Sequence, residues 1–258
     1  MAVENARATM AKYLHCKAKE LVFTSGATES NNLAIKGIAY SRKEQGKHII
    51  TVATEHKAIL DTCKQLEKKV LMSLSAHKFY DPMGIGCLFI RNRAKTHLQP
   101  LTHGGGQEYS LRPGTLATHQ IAGMAKAFAL ANERLNEDAQ HLAVLRHTFL
   151  DQLKNLDGIT INGRSEASIP SIINISFEGV GADSLIIALR DKVAISSSSA
   201  CNSGAIEASY VLRAMGIEGE RLYSAVRFSF GRYTTEQEIK QAGKIICTEV
   251  NRLRELAM

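Results

Sequence analysis

The fold of this chain is decided by residues 21–30, which read LVFTSGATES. The apolar run at 21–23 predicts a short buried strand, and the pattern from about Ser30 to Glu44 predicts a helix. Between them, the turn at 24–28 combines a glycine with three hydroxyl side chains. The N–H groups of a helix N-terminus attract anions, and a glycine lets the backbone approach them closely. The turn therefore predicts a phosphate site, with an ordinary helix-capping turn as the alternative.

Strand and helix patterns alternate on both sides of this turn. Strands are also expected at 49–52, 70–75 and 84–91, and helices at 4–15, 54–68 and 117–156, the last interrupted near Glu137. This alternation is typical of an α/β layer with a mostly parallel sheet. One connection is unusual, because the helix at 54–68 runs into the next strand without a Gly, Pro, Asn or Asp. Such connections usually take about 2–6 residues with turn chemistry.

The pattern changes after about residue 157, where the elements become shorter. Strands are expected at 159–162, 171–177, 193–196 and 225–230, and helices at 182–191, 207–215 and 235–256. We therefore expect a large N-terminal domain over residues 1–157 and a smaller C-terminal α+β domain over residues 158–258.

The composition is that of a folded chain. Hydrophobic residues make up 45% and charged residues 22% of the 258 residues, ordinary values that exclude overall intrinsic disorder. No stretch approaches the ~18 consecutive apolar residues of a membrane span, and the first residues lack the apolar core of a secretory signal. We therefore expect a cytoplasmic protein that does not bind a membrane.

The formal net charge is +7. Basic residues are interleaved with glutamate, as at 42–44 and 252–255, and tryptophan is absent, so stacking platforms for bases are not evident. We expect no direct binding of nucleic acid. A solvated basic surface is the simplest interpretation of the charge, and an acidic protein partner is its functional alternative.

The five cysteines form no CxxC pair and their number is odd, which disfavours a disulfide framework or a zinc ribbon and fits a reducing cytosol. Cys201 differs from the other four because it lies in the sequence SSSSACNSG at 196–204. Small polar residues on both sides indicate a mobile loop with an accessible thiol. A reactive role and a structural role for Cys201 are equally open from this context.

Three other side chains have both a chemical and a structural interpretation. Lys78 follows the strand at 70–75, where α/β proteins bind ligands, and a lysine there can form a Schiff base with an aldehyde; the alternative is a surface lysine. His56 can stack on an aromatic cofactor or serve the fold alone. Arg227 lies inside an apolar strand and needs a partner, which is either a substrate carboxylate or an acidic side chain.

In this order, the motifs resemble those of a pyridoxal-phosphate cysteine desulfurase of the NifS/IscS group, within the class-V aminotransferases. The matching stretches are 23–34 (FTSGATESNNLA), 54–58 (TEHKA), 75–78 (SAHK), 103–106 (HGGG), 112–115 (RPGT), 198–201 (SSAC) and 227–229 (RFS). The likeness extends over nearly the whole chain. It implies the fold of the type I pyridoxal-phosphate-dependent transferases, with a truncated large domain and a smaller C-terminal domain.

The resemblance also implies a role for each matching residue around the cofactor, pyridoxal 5'-phosphate. Lys78 holds the cofactor covalently, and His56 stacks over its pyridine ring and helps to move protons. The phosphate is bound by Ala27, Thr28, Ser75, Ala76 and His77, with Thr115 reaching across from the other subunit of a homodimer.

For the substrate, L-cysteine, the resemblance implies that Arg227 binds the carboxylate and that Cys201 attacks the sulfur. The products are alanine and a persulfide on Cys201, which is also implied as a transient ligand of an iron–sulfur cluster. The implied partner proteins are an iron–sulfur scaffold or a sulfur-relay protein.

Two segments of the family have no counterpart in this sequence. One is the N-terminal segment, and the other is a long internal segment that falls at the unusual connection before Val70. In the family the internal segment contains several strand–helix units, an Asn, the Asp that pairs with the pyridine nitrogen, and a Gln near the cofactor. Ala76 and Pro113 replace a glycine and a serine.

Two other functions therefore stay open. The missing internal segment favours an inactive relic that acts at most as a protein-interaction module. Another fold-type I lyase, such as one acting on selenocysteine, is the second alternative, although the loop at 196–204 favours sulfur transfer over it.

Overall fold

The computed structural model describes residues 1–42, 44, 71–93, 96–163, 168–197 and 208–257. The predicted strand at 49–52 and helix at 54–68 lie outside these residues. The chain forms two compact units, Met1–Arg134 and Leu135–Met258. None of the helices in the described ranges is both long and apolar enough to cross a bilayer.

In the first unit, the described residues form a three-stranded sheet and three α-helices. They are α1 (Ala2–Tyr13), β1 (Leu21–Thr24), α2 (Ala27–Arg42), β2 (Leu71–Ser75), β3 (Gly86–Ile90) and α3 (Thr118–Glu133). The strand order is β1-β3-β2, and β3 runs antiparallel to both neighbours. The expected predominance of parallel pairing therefore does not hold for these three strands, because β3 separates two strands that are parallel to each other.

The continuous apolar runs of β1 and β3 are explained by burial on both faces of the sheet. Leu21 and Phe23 face α1 and α3 in one apolar cluster. Val22 and Leu88 face the other way and pack against Leu33 of α2. These two layers hold the ends of the strands in place, where the candidate site lies.

In the part of the second unit that the structure describes, there are a four-stranded antiparallel sheet and five α-helices. They are α4 (Leu135–Leu153), β4 (Ile159–Asn162), β5 (Ile172–Phe177), α5 (Ala182–Leu189), β6 (Ser196–Ser197), α6 (Tyr210–Ala214), α7 (Gly219–Tyr223), β7 (Ala225–Ser229) and α8 (Glu236–Ala257). The strand order is β4-β5-β7-β6. Most of these elements agree closely with the predicted ones. The exceptions are β6, which covers only Ser196–Ser197 where a strand was predicted at 193–196, and the short helix α7, which no sequence pattern indicated.

The unit boundary lies before α4, earlier in the chain than the domain boundary expected near residue 157. The reason is that α4 buries Leu145, Phe149 and Leu153 in the apolar core of the second unit. The helical pattern predicted over 117–156 is confirmed, and its interruption lies at Arg134, between α3 and α4, rather than near Glu137.

The sheet of the second unit has one apolar and one polar face. Ile175 of β5 and Val226 of β7 are fully buried in the core beside α4 and α8. Their neighbours Asn174 and Arg227 point to the opposite face, because side chains alternate along a strand. The alternation of side chains along these strands thus leaves a polar face on the sheet.

Candidate active site

The predicted cofactor lysine lies just beyond the end of β2. A 3₁₀ turn over Ala76–Phe79 carries His77 and Lys78, and both side chains are exposed. Ala76 is fully buried, and its N–H donates to the carbonyl of Ile85 (3.2 Å). Tyr80 closes the turn in the left-handed conformation (φ 73°). The buried alanine therefore fixes the backbone while the lysine projects from the end of the sheet.

The predicted phosphate turn lies at the same end of the sheet. Thr24, Gly86 and Ser75 occupy one row across β1, β3 and β2. The N–H of Ala27, at the start of α2, donates to the Ser75 hydroxyl (3.0 Å). Since the N–H groups of the first helical turn have no acceptor within the helix, they face the region that follows Ser75. The structure thus brings Ala27, Ser75 and the lysine turn together.

Gly86 permits the close approach of these segments. A Cβ atom on residue 86 would lie 2.5 Å from the Cα of Gly26 and 2.5 Å from the carbonyl oxygen of Leu74. Both neighbours are backbone atoms, which cannot rotate away as a side chain does. The turn at 24–28 and the end of β2 therefore require glycine at this position.

The variant Gly86→Ala should lose about 1–3 kcal/mol of unfolding free energy, because an overpacked site has to shift its backbone. Urea denaturation would measure the loss. Gly106→Ala is the matched control, since the nearest heavy atom would be the Ser110 hydroxyl oxygen at 3.9 Å. Equal stability of the two variants would contradict the argument from close approach.

Polar contacts within the turn also cap α2. The N–H of Ser25 donates to Glu29 Oε2 (2.6 Å), and the hydroxyls of Thr24 and Ser30 are 2.8 Å apart. Arg112 Nε donates to Glu29 Oε1 (2.9 Å). Burial opposes ionisation of Glu29, but the hydrogen bonds from Arg112 and Ser25 outweigh it and lower its pKa. The capping interpretation and the phosphate interpretation therefore apply to the same turn.

The contact of Arg112 with Glu29 ties the loop that carries Thr115 to the start of α2. Thr115 itself is exposed. His56 and Cys201 lie outside the described residues, so their predicted roles stay predictions.

Sequence reasoning missed a buried ion pair behind this site. Arg7 of α1 and Glu108 are 2% and 5% exposed, and Arg7 donates to both Glu108 oxygens (2.6 and 3.0 Å). Arg7 also donates to the carbonyl of Leu21 (2.7 Å), and Glu108 accepts the N–H of Phe23 (2.6 Å). Burial by itself would lower the pKa of Arg7, but the hydrogen bond and charge of Glu108 raise it. The pair joins α1, β1 and the loop after the glycines at 104–106.

In the second unit, Arg227 of β7 has the features of a ligand-binding residue. Its Nε is buried and has no hydrogen-bond partner within the described ranges. None of the ion pairs between described residues includes Arg227. The structural alternative for this residue, an acidic partner, is thus not found in the part of the chain that the structure describes.

Comparison with known proteins places this arrangement in a family. The family model for class-V aminotransferases matches residues 1–73 and 69–242. The chain belongs to the class-V aminotransferase family. This membership confirms the resemblance deduced from the motifs, and class-V aminotransferases use pyridoxal 5'-phosphate.

Relatives in the family carry a common name. Cysteine desulfurase IscS of Aeromonas salmonicida (strain A449) is 40% identical over 336 aligned positions, which cover 99% of this chain and 83% of the relative. Cysteine desulfurase IscS of Azotobacter vinelandii is 38% identical with the same coverage. A solved NifS-like protein superimposes with a TM-score of 0.84 at 27% identity and covers 99% of this chain and 87% of its own. The predicted fold class is confirmed.

The comparisons also locate the missing internal segment. An alignment of 336 positions to a chain of 258 residues leaves at least 78 positions (336 − 258) where the relative alone has a residue. The two matches to the class-V family model meet at residues 69–73. This is where the sequence showed a helix running into a strand without a turn.

The described residues fit the phosphate end of the cofactor of class-V aminotransferases. The N-terminal turn of α2, the Ser75 hydroxyl and the exposed amine of Lys78 lie at one end of the sheet. Asp81, three residues after Lys78, lies against α3, where a Cβ on Gly123 would be 2.7 Å from its Oδ1. It is buried, its Oδ2 has no partner within the described ranges, and burial raises its pKa.

Proposed function

We propose that this protein is a pyridoxal-phosphate-dependent cysteine desulfurase, which takes sulfur from L-cysteine and leaves L-alanine. The observation that carries the proposal is the convergence of the phosphate turn and the Lys78 turn on one end of the first sheet. This convergence occurs in a chain 40% identical to a cysteine desulfurase.

The residues at this end of the sheet would hold the cofactor. Lys78 supplies the amine for covalent attachment, and His56 covers the ring and moves protons. Thr28, Ser75 and His77 bind the phosphate, with Thr115 of the second subunit. Ala27 and Ala76 border the phosphate site, because their N–H groups donate to the Ser75 hydroxyl and to the carbonyl of Ile85. When bound, the cofactor supplies an electron sink that stabilises negative charge on the substrate carbon atoms.

Residues of the second unit bind the substrate and transfer its sulfur. The Arg227 guanidinium forms a two-point contact with the carboxylate of L-cysteine. The Cys201 thiolate attacks the substrate sulfur, and the S–S bond forms as the bond from sulfur to Cβ breaks. Cβ keeps the electron pair of that bond and takes a proton, which gives alanine, and Cys201 is left as a persulfide.

Strand pairing and chain length support a joint role for Arg227 and Cys201. Ser196 of β6 lies directly opposite Arg227 of β7. Cys201 follows Ser196 by five positions in the chain. Five residues span at most about 17–18 Å when fully extended, so chain length alone keeps the backbone of Cys201 within that distance of Ser196, the neighbour of Arg227 across the strands.

The persulfide sulfur then passes to an iron–sulfur scaffold or a sulfur-relay protein in the cytoplasm. An excess of seven positive charges suits an acidic acceptor. Cys201 serves as a transient ligand of the cluster during transfer, and the enzyme works as a homodimer.

The second candidate function is an inactive protein-interaction module. It is favoured by the gap in the alignment, where at least 78 positions of the relative have no counterpart in this chain.

The test is the release of sulfide and alanine from L-cysteine by the purified chain with pyridoxal phosphate and a thiol reductant. The variant Cys201→Ser should keep the cofactor and lose nearly all sulfide release, because a hydroxyl cannot accept the sulfur. Cys16→Ser, which changes a partly exposed thiol of the first unit, is the matched control. An unchanged rate in Cys201→Ser contradicts the assigned nucleophile. A wild-type chain that binds no cofactor and releases no sulfide supports the interaction module.

A further inference from the structure

Four polar side chains form a row across the polar face of the second sheet. Asn162, Asn174, Arg227 and Ser196 lie directly opposite one another on β4, β5, β7 and β6. Directly opposite residues in antiparallel strands have Cβ atoms about 4.5–5.5 Å apart, so their side chains touch the same ligand or each other. We call these four residues the polar row.

Hydrogen bonds determine which way the amide groups of the polar row point. Arg221 Nε can only donate, and it donates to Asn162 Oδ1 (2.9 Å). The Nδ2 of Asn162 therefore faces β5, where it donates to Asn174 Oδ1 (2.6 Å) and to the Ser176 hydroxyl (2.8 Å). This chain of contacts leaves no freedom to exchange oxygen and nitrogen in either amide.

The orientation of Asn174 has a consequence for Arg227. Strand β5 lies between β4 and β7. The oxygen of the Asn174 amide accepts from β4, which leaves its NH₂ group as the part available to the β7 side, where Arg227 lies directly opposite Asn174. Arg227 Nε is itself a buried donor with no acceptor within the described ranges. Two neighbouring groups that can only donate require an acceptor between them, and a carboxylate offers two oxygens for this purpose.

We propose that Asn174 is a second binding residue for the substrate carboxylate, beside Arg227, and that Asn162 and Arg221 are positioning residues that aim its amide. The proposal rests on the proposed function for the identity of the substrate. Ser196, on the other side of Arg227, places a hydroxyl at the same row and begins the strand that leads to Cys201.

The experiment measures equilibrium binding of L-alanine to the full chain loaded with pyridoxal phosphate, so that no turnover is needed. L-alanine has the carboxylate of the substrate and lacks its thiol. The dissociation constant should rise about 10-fold in Asn174→Ala, in line with the loss of one hydrogen bond to a charged group. It should rise further in Asn174→Asp, because this variant places a second carboxylate against that of the ligand. Thr160→Val is the matched control, because it changes the same face of the sheet outside the polar row.

The variant Asn174→Ser tests whether an effect comes from folding or from binding. Because serine keeps a hydrogen-bond donor, this variant should bind L-alanine more tightly than Asn174→Ala. Asn162→Ala should raise the dissociation constant less than Asn174→Ala, because it only frees the amide to rotate. Equal dissociation constants in wild type and Asn174→Ala would overturn the proposal, as would wild-type protein that binds no L-alanine. If wild type binds L-alanine through Asn174 yet releases no sulfide from L-cysteine, the proposed function fails and the carboxylate site stands.

Discussion

The variant Lys78→Ala is expected to lose the shifted visible absorption band of lysine-bound pyridoxal phosphate and to release no sulfide from L-cysteine. The amine is the only group of this side chain that can bond to the cofactor aldehyde, and alanine has no replacement for it. Because Lys78 is exposed and Ala76 beneath it carries the packing, the substitution should leave the unfolding free energy nearly unchanged. Absorption spectra and urea denaturation of the same samples measure both effects.

Two further variants show what the lysine contributes. Lys78→Arg keeps the positive charge but cannot form the bond, so it should retain weak phosphate binding without the shifted band. Lys126→Ala, which removes an exposed lysine from α3, should behave as wild type. A shifted band that persists in Lys78→Ala would assign the covalent attachment to another lysine.

The variant Glu108→Ala is expected to lose about 3–5 kcal/mol of unfolding free energy, the cost of leaving one member of a buried ion pair without its partner. Among the described residues, Arg7 would keep the carbonyl of Leu21 and the exposed Glu4 as polar partners, and the N–H of Phe23 would lose its acceptor. Urea denaturation measures the loss.

The contacts of Glu108 also explain an unusual stretch of backbone. Glu108, Tyr109 and Ser110 all have positive φ values (48°, 61° and 61°). In residues other than glycine, this left-handed conformation destabilises the fold by about 1 kcal/mol or more per residue. Arg7 and Phe23 hold the first of these residues in place. In Glu108→Ala, amide hydrogen exchange should therefore increase at 108–110 even under conditions where the rest of the unit stays folded.

The matched control for Glu108 is Glu4→Ala, because Glu4 contacts the same arginine from a side chain that is 67% exposed. An exposed pair contributes about 0–1 kcal/mol, so this variant should be nearly as stable as wild type. Glu108→Gln keeps an acceptor for Phe23 and should lose less than Glu108→Ala. Equal losses in Glu4→Ala and Glu108→Ala would show that burial does not set the strength of this pair.

Local sequence patterns predicted most of the described elements of this chain. The strand at Leu21–Thr24, the turn after it and the helix over Ala27–Arg42 follow from an apolar run, a glycine and hydroxyl-bearing residues that are adjacent in the chain. The motifs that identify the family are likewise short and continuous. Their order along the chain sufficed to predict the cofactor and the fold class.

Only the tertiary structure decided how these elements meet. The placement of β3 between β1 and β2, the assignment of α4 to the second unit and the pairing of Arg7 with Glu108, 101 residues away, are contacts between distant segments. The polar row depends on the register of the strands. A shift of one residue in the pairing would move these side chains to the opposite face of the sheet. Neighbouring residues encode strands, turns and helices, whereas pairing and register depend on the packing energy of the whole unit, and a local pattern does not contain that energy.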